Sequence, residues 1–165
     1  MIGLASPLLV AGPIRAWRWW SVNDFGQLDG TFYRGDPWDP KTPYRAICRK
    51  GEGPVWSLAS HPGKAPGSEC TCGVYGLKRA LPLCEGRTSP EHPTIRIPAS
   101  TDSLWVWGAV ALWGSVIEHA EGYRAEYGYP LSFTRAIAAY QPEAVRRWKL
   151  VEDLYGIAMP AEVPA

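Results

Sequence analysis

The sequence predicts an α+β protein: a small antiparallel, partly closed β-barrel with a zinc-stapled loop insertion and a C-terminal helix. Three observations lead there. A content of 9 Trp, 8 Tyr, 17 Gly and 16 Pro in 165 residues favours short strands, turns and aromatic packing over a helical bundle. Two-residue alternation runs from Leu104 to Tyr129, the pattern of a long strand pair. All four cysteines fall in the one segment, 35–98, where regular patterning fails. With 46% hydrophobic residues the chain has enough apolar side chain for one core, so 1–165 is read as a single domain, with 35–98 as an insertion and 142–156 as the helix.

The elements follow in order. Met1 to Pro13 is apolar, but it has no basic residue before its hydrophobic part and contains Pro7 and Pro13. It makes a poor signal peptide and is too short to span a bilayer, which points to a cytoplasmic protein without a membrane partner. Arg15 to Val22 is the first strand, Asn23-Asp24-Phe25-Gly26 a turn, and Thr31 to Arg34 the second strand. From Gly35 to Pro98 the chain is so rich in Pro and Gly that a compact domain needs a staple to hold it.

Further on, Leu104, Val106, Val110 and Leu112 share one strand face and Trp105, Trp107 and Trp113 the other. Tyr123, Ala125, Tyr127 and Tyr129 continue the pair beyond a turn at His119-Ala120-Glu121-Gly122. The tandem Val106-Trp107-Gly108-Ala109-Val110 and Leu112-Trp113-Gly114-Ser115-Val116 places two interior strand glycines where a small sheet bends. Ser132 to Tyr140 reads as a helical turn or two. Ala144, Val145, Trp148, Val151, Leu154 and Tyr155 recur at helical spacing after Gln141-Pro142, with Gly156 as the C-cap. Arg146, Arg147 and Lys149 make part of this helix basic, read as a solvated face in preference to a partner patch. Ala158 to Ala165 reads as a frayed end.

Cys48, His61, Cys70 and Cys72 form the best site. Thiolate and imidazole are what tetrahedral zinc takes, and Cys70-Thr71-Cys72-Gly73 presents two sulfurs from one tight turn. Cys84 in place of His61 gives an all-sulfur site; an iron–sulfur cluster or unligated buried thiols are the competing readings. Four protein ligands leave no open position for water, so the zinc is structural.

Other constellations weigh less. Glu118, His119, Arg124 and Glu126 surround one hairpin and suit either acid–base work or, preferably, a cross-strand ion-pair set. His92 reads as an exposed loop residue. The chain has no nucleophile elbow, phosphate loop or dinucleotide fingerprint, which removes the common hydrolase and nucleotide-enzyme classes. A formal charge of +1 argues against a partner held by many phosphate contacts. Trp105, Trp107 and Trp113 with Tyr123 offer a binding face, against a competing reading as core.

Ala16-Trp17-Arg18, Cys48, His61, Ala65-Pro66, Cys70-Thr71-Cys72-Gly73 with Tyr75, and Trp113-Gly114-Ser115-Val116-Ile117-Glu118-His119 running into Gly122-Tyr123-Arg124-Ala125-Glu126-Tyr127 and Pro130 together span most of the chain. In these motifs the protein resembles a group of small uncharacterised proteins of actinobacteria and their phages, although Gly76 and Gly128 stand where alanine is expected. The resemblance implies no activity. It implies that the Cys/His set and the Gly-Tyr-Arg-Ala-Glu strand belong together, and a phage or actinobacterial origin. The expected function is a non-enzymatic binding module acting on a host protein. The alternative is a reader of nucleic acid or a nucleotide, with Trp107 and Trp113 stacking on bases and Arg124 on phosphate or a base edge. An enzyme using His119 with Glu118 or Glu126 ranks third.

Overall fold

The computed structural model describes residues 8–9, 11–30, 36–48, 65–68, 70–80, 104–138 and 141–159. Within them the elements run β1 (Leu8–Leu9), β2 (Ile14–Val22), β3 (Leu28–Gly30), β4 (Pro37–Trp38), β5 (Tyr44–Arg45), β6 (Val74–Leu77), β7 (Leu104–Glu118), β8 (Gly122–Ala138) and α1 (Gln141–Tyr155). Among the described residues the protein is thus a mostly antiparallel sheet with one helix. The β7–β8 hairpin is its spine, and its turn falls where the sequence places it, with His119 N–H donating to Gly122 O at 2.8 Å.

β7 takes β8 along one edge; β2 and then β1 lie along the other. On its far edge β8 carries β6 and β5. β6 returns to β2 through one registered pair, Trp17 with Leu77. The pairings β2–β7–β8–β6–β2 therefore form a circuit, but one closed by a single pair, and the sheet is not a clean barrel.

Three register shifts curl the hairpin, between Trp107 and Gly108, Ala109 and Val110, and Trp113 and Val116. Two sit at the glycines of the tandem repeat. Gly108 lies so close to the Ser132 carbonyl that no side chain fits, and Gly114 has φ of +79°. Pro130, which has no N–H to give a ladder, lies opposite Val110 beside the shift between Ala109 and Val110.

Both faces of β7 are covered from Leu104 to Leu112. Leu104, Val106, Val110 and Leu112 enter the main core with Trp20, Trp38, Val74, Ala125 and Phe133. Trp105 and Trp107 join Trp19 in a second cluster on the other face, with Trp17 and Leu77 against it. Glycines 76 and 128 are packing requirements: a Cβ at Gly76 would stand 2.6 Å from Ala16 Cβ, and one at Gly128 2.8 Å from Val74 Cγ1.

α1 closes the main core with Ala144, Val151 and Tyr155. The Tyr155 hydroxyl donates to Trp38 O and accepts from Leu28 N–H at 3.0 Å, tying the helix to β3 and β4. Burial pushes this phenol up to about 12. Arg147 reaches Asp24 at 2.5 Å and Arg146 reaches Glu143, so two cations of the basic stretch are spent on the turn after β2 and on the helix itself.

Several expectations need correction. Ser132 to Ala138 is strand, not helix, because β7 is long enough to pair with it from Ala109 down to Leu104. The second strand is already paired at Leu28–Gly30: the Asn23 side chain accepts the N–H groups of Phe25 and Gln27 and makes the turn tight. Residues 31–34 lie outside those described. The segment 35–98 holds β4, β5 and β6, none of which its composition announced. Of the end expected to fray, Ala158 to Ala165, Met159 is buried, its N–H donating to Glu152 at 2.8 Å, and residues 160–165 lie outside those described. No helix among the described residues is long and apolar enough to cross a membrane.

Candidate metal centre

Cys48 lies just beyond β5, and Cys70 and Cys72 lie in the turn that leads into β6. β5 and β6 both pair with β8, which brings the three cysteines together. Their sulfurs all lie within 4.8 Å of one another. Cys48 Sγ is 3.9 Å from Cys70 Sγ, and Cys70 Sγ is 2.6 Å from Cys72 Sγ. With metal–sulfur bonds of ~2.3 Å a tetrahedral edge is roughly 3.8 Å. The first pair already has that length, and the second would have to open by roughly 1.2 Å to span such an edge.

Backbone N–H groups aim at the sulfurs, as they do around thiolate: Gly67 donates to Cys72 Sγ and Cys72 to Cys70 Sγ, both at 3.3 Å. Burial pushes the Cys72 thiol up to about 12, reinforced by hydrogen bonding to Cys70. A cation bound there would have to displace the Cys72 proton. Gly73 is required by its φ of +126° and by Arg124 Cβ and Pro66 Cβ, 3.1 and 3.2 Å from where a Cβ would stand.

The residue that organises this loop is Arg124 of β8. It is 6% exposed, and its Nη1 donates to the carbonyls of Gly67 at 3.3 Å, Cys70 at 2.5 Å and Cys72 at 3.1 Å, while Nε donates to His119 Nε2 at 2.8 Å. One guanidinium thus holds the carbonyls of the cysteine turn, a role for which its fork of donors is suited. The sequence marks Arg124 as a group that contacts a ligand; the structure turns it inward onto the loop. The only hint of that was the resemblance linking its strand to the cysteines.

The remaining residues separate. His61 and Cys84 lie outside the described residues. Trp105 and Trp107 are each 4% exposed, so neither offers a ring to a base. Trp113 is half-buried and stacks on Tyr127, centroids 5.8 Å apart, and Tyr123 lines a pocket between β2 and β6. Trp17 and Trp19, within the strand the sequence predicts at Arg15 to Val22, line that pocket too.

The acid–base group resolves into pairs: Glu118 with Lys78 at 2.6 Å, Glu126 with Arg45 at 3.3 Å, His119 with Arg124. His119 is held below its ordinary value by burial first, then by Arg124 and Lys78, which keeps Nε2 free to accept. No protein-family model matches the chain, and neither the curated proteins nor the solved structures yield a match.

Proposed function

We propose that the chain is a non-catalytic binding module stapled by one zinc ion, held by Cys48, Cys70 and Cys72 with His61 as fourth ligand. One observation carries this reading: three sulfurs from segments 22 residues apart in sequence converge within 4.8 Å. Charge supports His61 over Cys84. Three thiolates on a dication leave one negative charge, which the adjacent Arg124 balances; a fourth thiolate would leave one uncompensated. Four protein ligands leave no coordination position for water, in keeping with a structural ion. In this reading the staple secures β5 and β6 on β8, and the circuit of pairings is a partly closed barrel whose weakest seam is β2–β6.

The binding role rests on the pocket at that seam. A host protein is the proposed partner; a nucleotide reader gains little support, because Trp107 is covered and Arg124 is engaged by the loop.

Elemental analysis of protein purified without added metal tests the staple. We expect one zinc per chain, and chelation should release β5 and β6, seen as lost amide protection along those strands. A metal-free, fully folded protein ends the proposal. His61→Ala should lose the ion and Cys84→Ser should keep it; the reverse moves the fourth ligand to Cys84.

A further inference from the structure

Cys70 and Cys72 flank Thr71, which is exposed, and both are half-buried, whereas Cys48 is 5% exposed. All three are thiols. Their spacing is unequal, for Cys70 Sγ stands 2.6 Å from Cys72 Sγ and 3.9 Å from Cys48 Sγ. A sulfur–sulfur bond is ~2.05 Å long, so the turn pair has roughly 0.5 Å to close, against roughly 1.9 Å for Cys48 with Cys70. The longer contact suits a metal edge. The shorter one is nearer to a covalent bond than to that edge.

The surroundings of the turn favour the bond as well. Arg124 holds the turn through the carbonyls of Gly67, Cys70 and Cys72, not through its sulfurs. Joining the sulfurs therefore leaves in place the contacts that dock the turn on β8. Cys48 follows the other strand, β5, and stands at the longer distance.

We propose that Cys70 and Cys72 are a reversible oxidation site, converted to a disulfide by a hydroperoxide and restored by a small dithiol. One thiol first takes an oxygen from hydrogen peroxide, giving a sulfenic acid and one water. The neighbouring thiol then attacks that sulfur, forming the S–S bond; its proton and the sulfenic hydroxyl leave as a second water. Two thiols and one peroxide thus yield one disulfide and two waters. A dithiol reverses the step by exchange, becoming a disulfide itself. The bond also takes two sulfurs away from the proposed staple, so oxidation releases the ion and unties Cys48 from the turn. That release rests on the metal reading; the pair itself does not.

The full chain as purified is treated with hydrogen peroxide, denatured and alkylated, and its tryptic peptides are analysed by mass without reduction. Cleavage separates the cysteines, Cys48 falling in 46–49, Cys84 in 80–87, and Cys70 with Cys72 in 65–78. We expect 65–78 to be two hydrogens lighter and unalkylated, Cys48 and Cys84 to be alkylated, and dithiothreitol to restore both thiols. A chromophoric indicator should report loss of bound zinc in step with the disulfide. Cys72→Ser, which removes one sulfur of the pair, should lose the reversible product; the parent's peptide map carries the test if that variant does not fold. A disulfide to Cys48 or Cys84, oxidation of 65–78 without a disulfide, unchanged thiols, or a reversible product persisting in Cys72→Ser overturns the pair. Zinc that stays bound while the disulfide forms overturns the release. Protein that carries no zinc yet forms the disulfide refutes the staple alone, and zinc-bearing protein that forms none refutes the pair alone.

Discussion

Replacing Arg124 by methionine separates a clamp on the metal loop from a mere filler of space. Methionine keeps much of the side chain's length and apolar stem but removes every donor. Three hydrogen bonds to the Gly67, Cys70 and Cys72 carbonyls and one to His119 are lost. Hydrogen bonds to a charged group contribute about 1.5–3 kcal/mol each, but those three carbonyls belong to part-exposed residues and regain water. A net loss of about 2 kcal/mol in loop order follows, roughly 30-fold in zinc affinity. That falls inside the ~10- to 100-fold range for groups that orient metal ligands. Competition against a chromophoric chelator at fixed pH reads it directly. Arg124→Lys should fall between the two, because an ammonium keeps the charge and donors for the carbonyls but loses the Nε bond to His119. His119→Ala removes one bond at an exposed side chain and should change affinity only slightly. If Arg124→Met binds zinc as tightly as the parent and melts at the same temperature, Arg124 does not order the loop.

Three further outcomes follow from the core and helix. Gly76→Ala should destabilise by about 1–3 kcal/mol in denaturant titration, and Ala16→Gly in the same chain should restore part of it, because the added methyl meets Ala16 Cβ. Tyr155→Phe should cost about 1–2 kcal/mol near neutrality, since Leu28 N–H and Trp38 O lose their partner. The same variant should lose an alkaline slope. With the folded phenol raised to about 12 against its ordinary 10.0, its stability is intact below pH 10 and lost as pH rises toward 12. Parent and variant melting curves showing the same slope between those limits would refute this.

The parts of the fold that sequence reveals are those governed by local pattern. The β7–β8 hairpin is legible because alternation and a Gly-containing turn act within a few residues, and the bends at Gly108 and Gly114 because nothing but glycine tolerates them. Ser132 to Ala138 misleads for the opposite reason: Phe133, Ala136 and their neighbours are strand by virtue of the strand opposite, not by their own periodicity. β4, β5 and β6 are two to four residues long and owe their state wholly to partners elsewhere. At the site, cysteine spacing reveals the three residues that cluster, but nothing local tells that Arg124 points inward. Its register opposite Tyr75, next to the cysteine turn, decides that. Trp17 and Trp19 become pocket walls only because β6 leaves β2 after one pair.

The same register explains why a staple belongs at this place in the sheet. β6 and β5 lie end to end along β8, β6 on Gly122 to Ala125 and β5 on Tyr127 and Gly128. Strands this short gain few ladder bonds, and an isolated pairing of that size is marginal in water. Each also anchors a long connection whose closure opposes pairing. Cys48 lies just past β5 and Cys72 just before β6, so an ion shared between them would fix the two strand ends to each other as well as to β8. Arg124, on β8 itself, grips the same turn from below. Sheet edge, cysteines and guanidinium thus form one cooperative unit. Because β6 also bounds the pocket it shares with β2, an ion that ordered that edge would order one wall of the pocket as well.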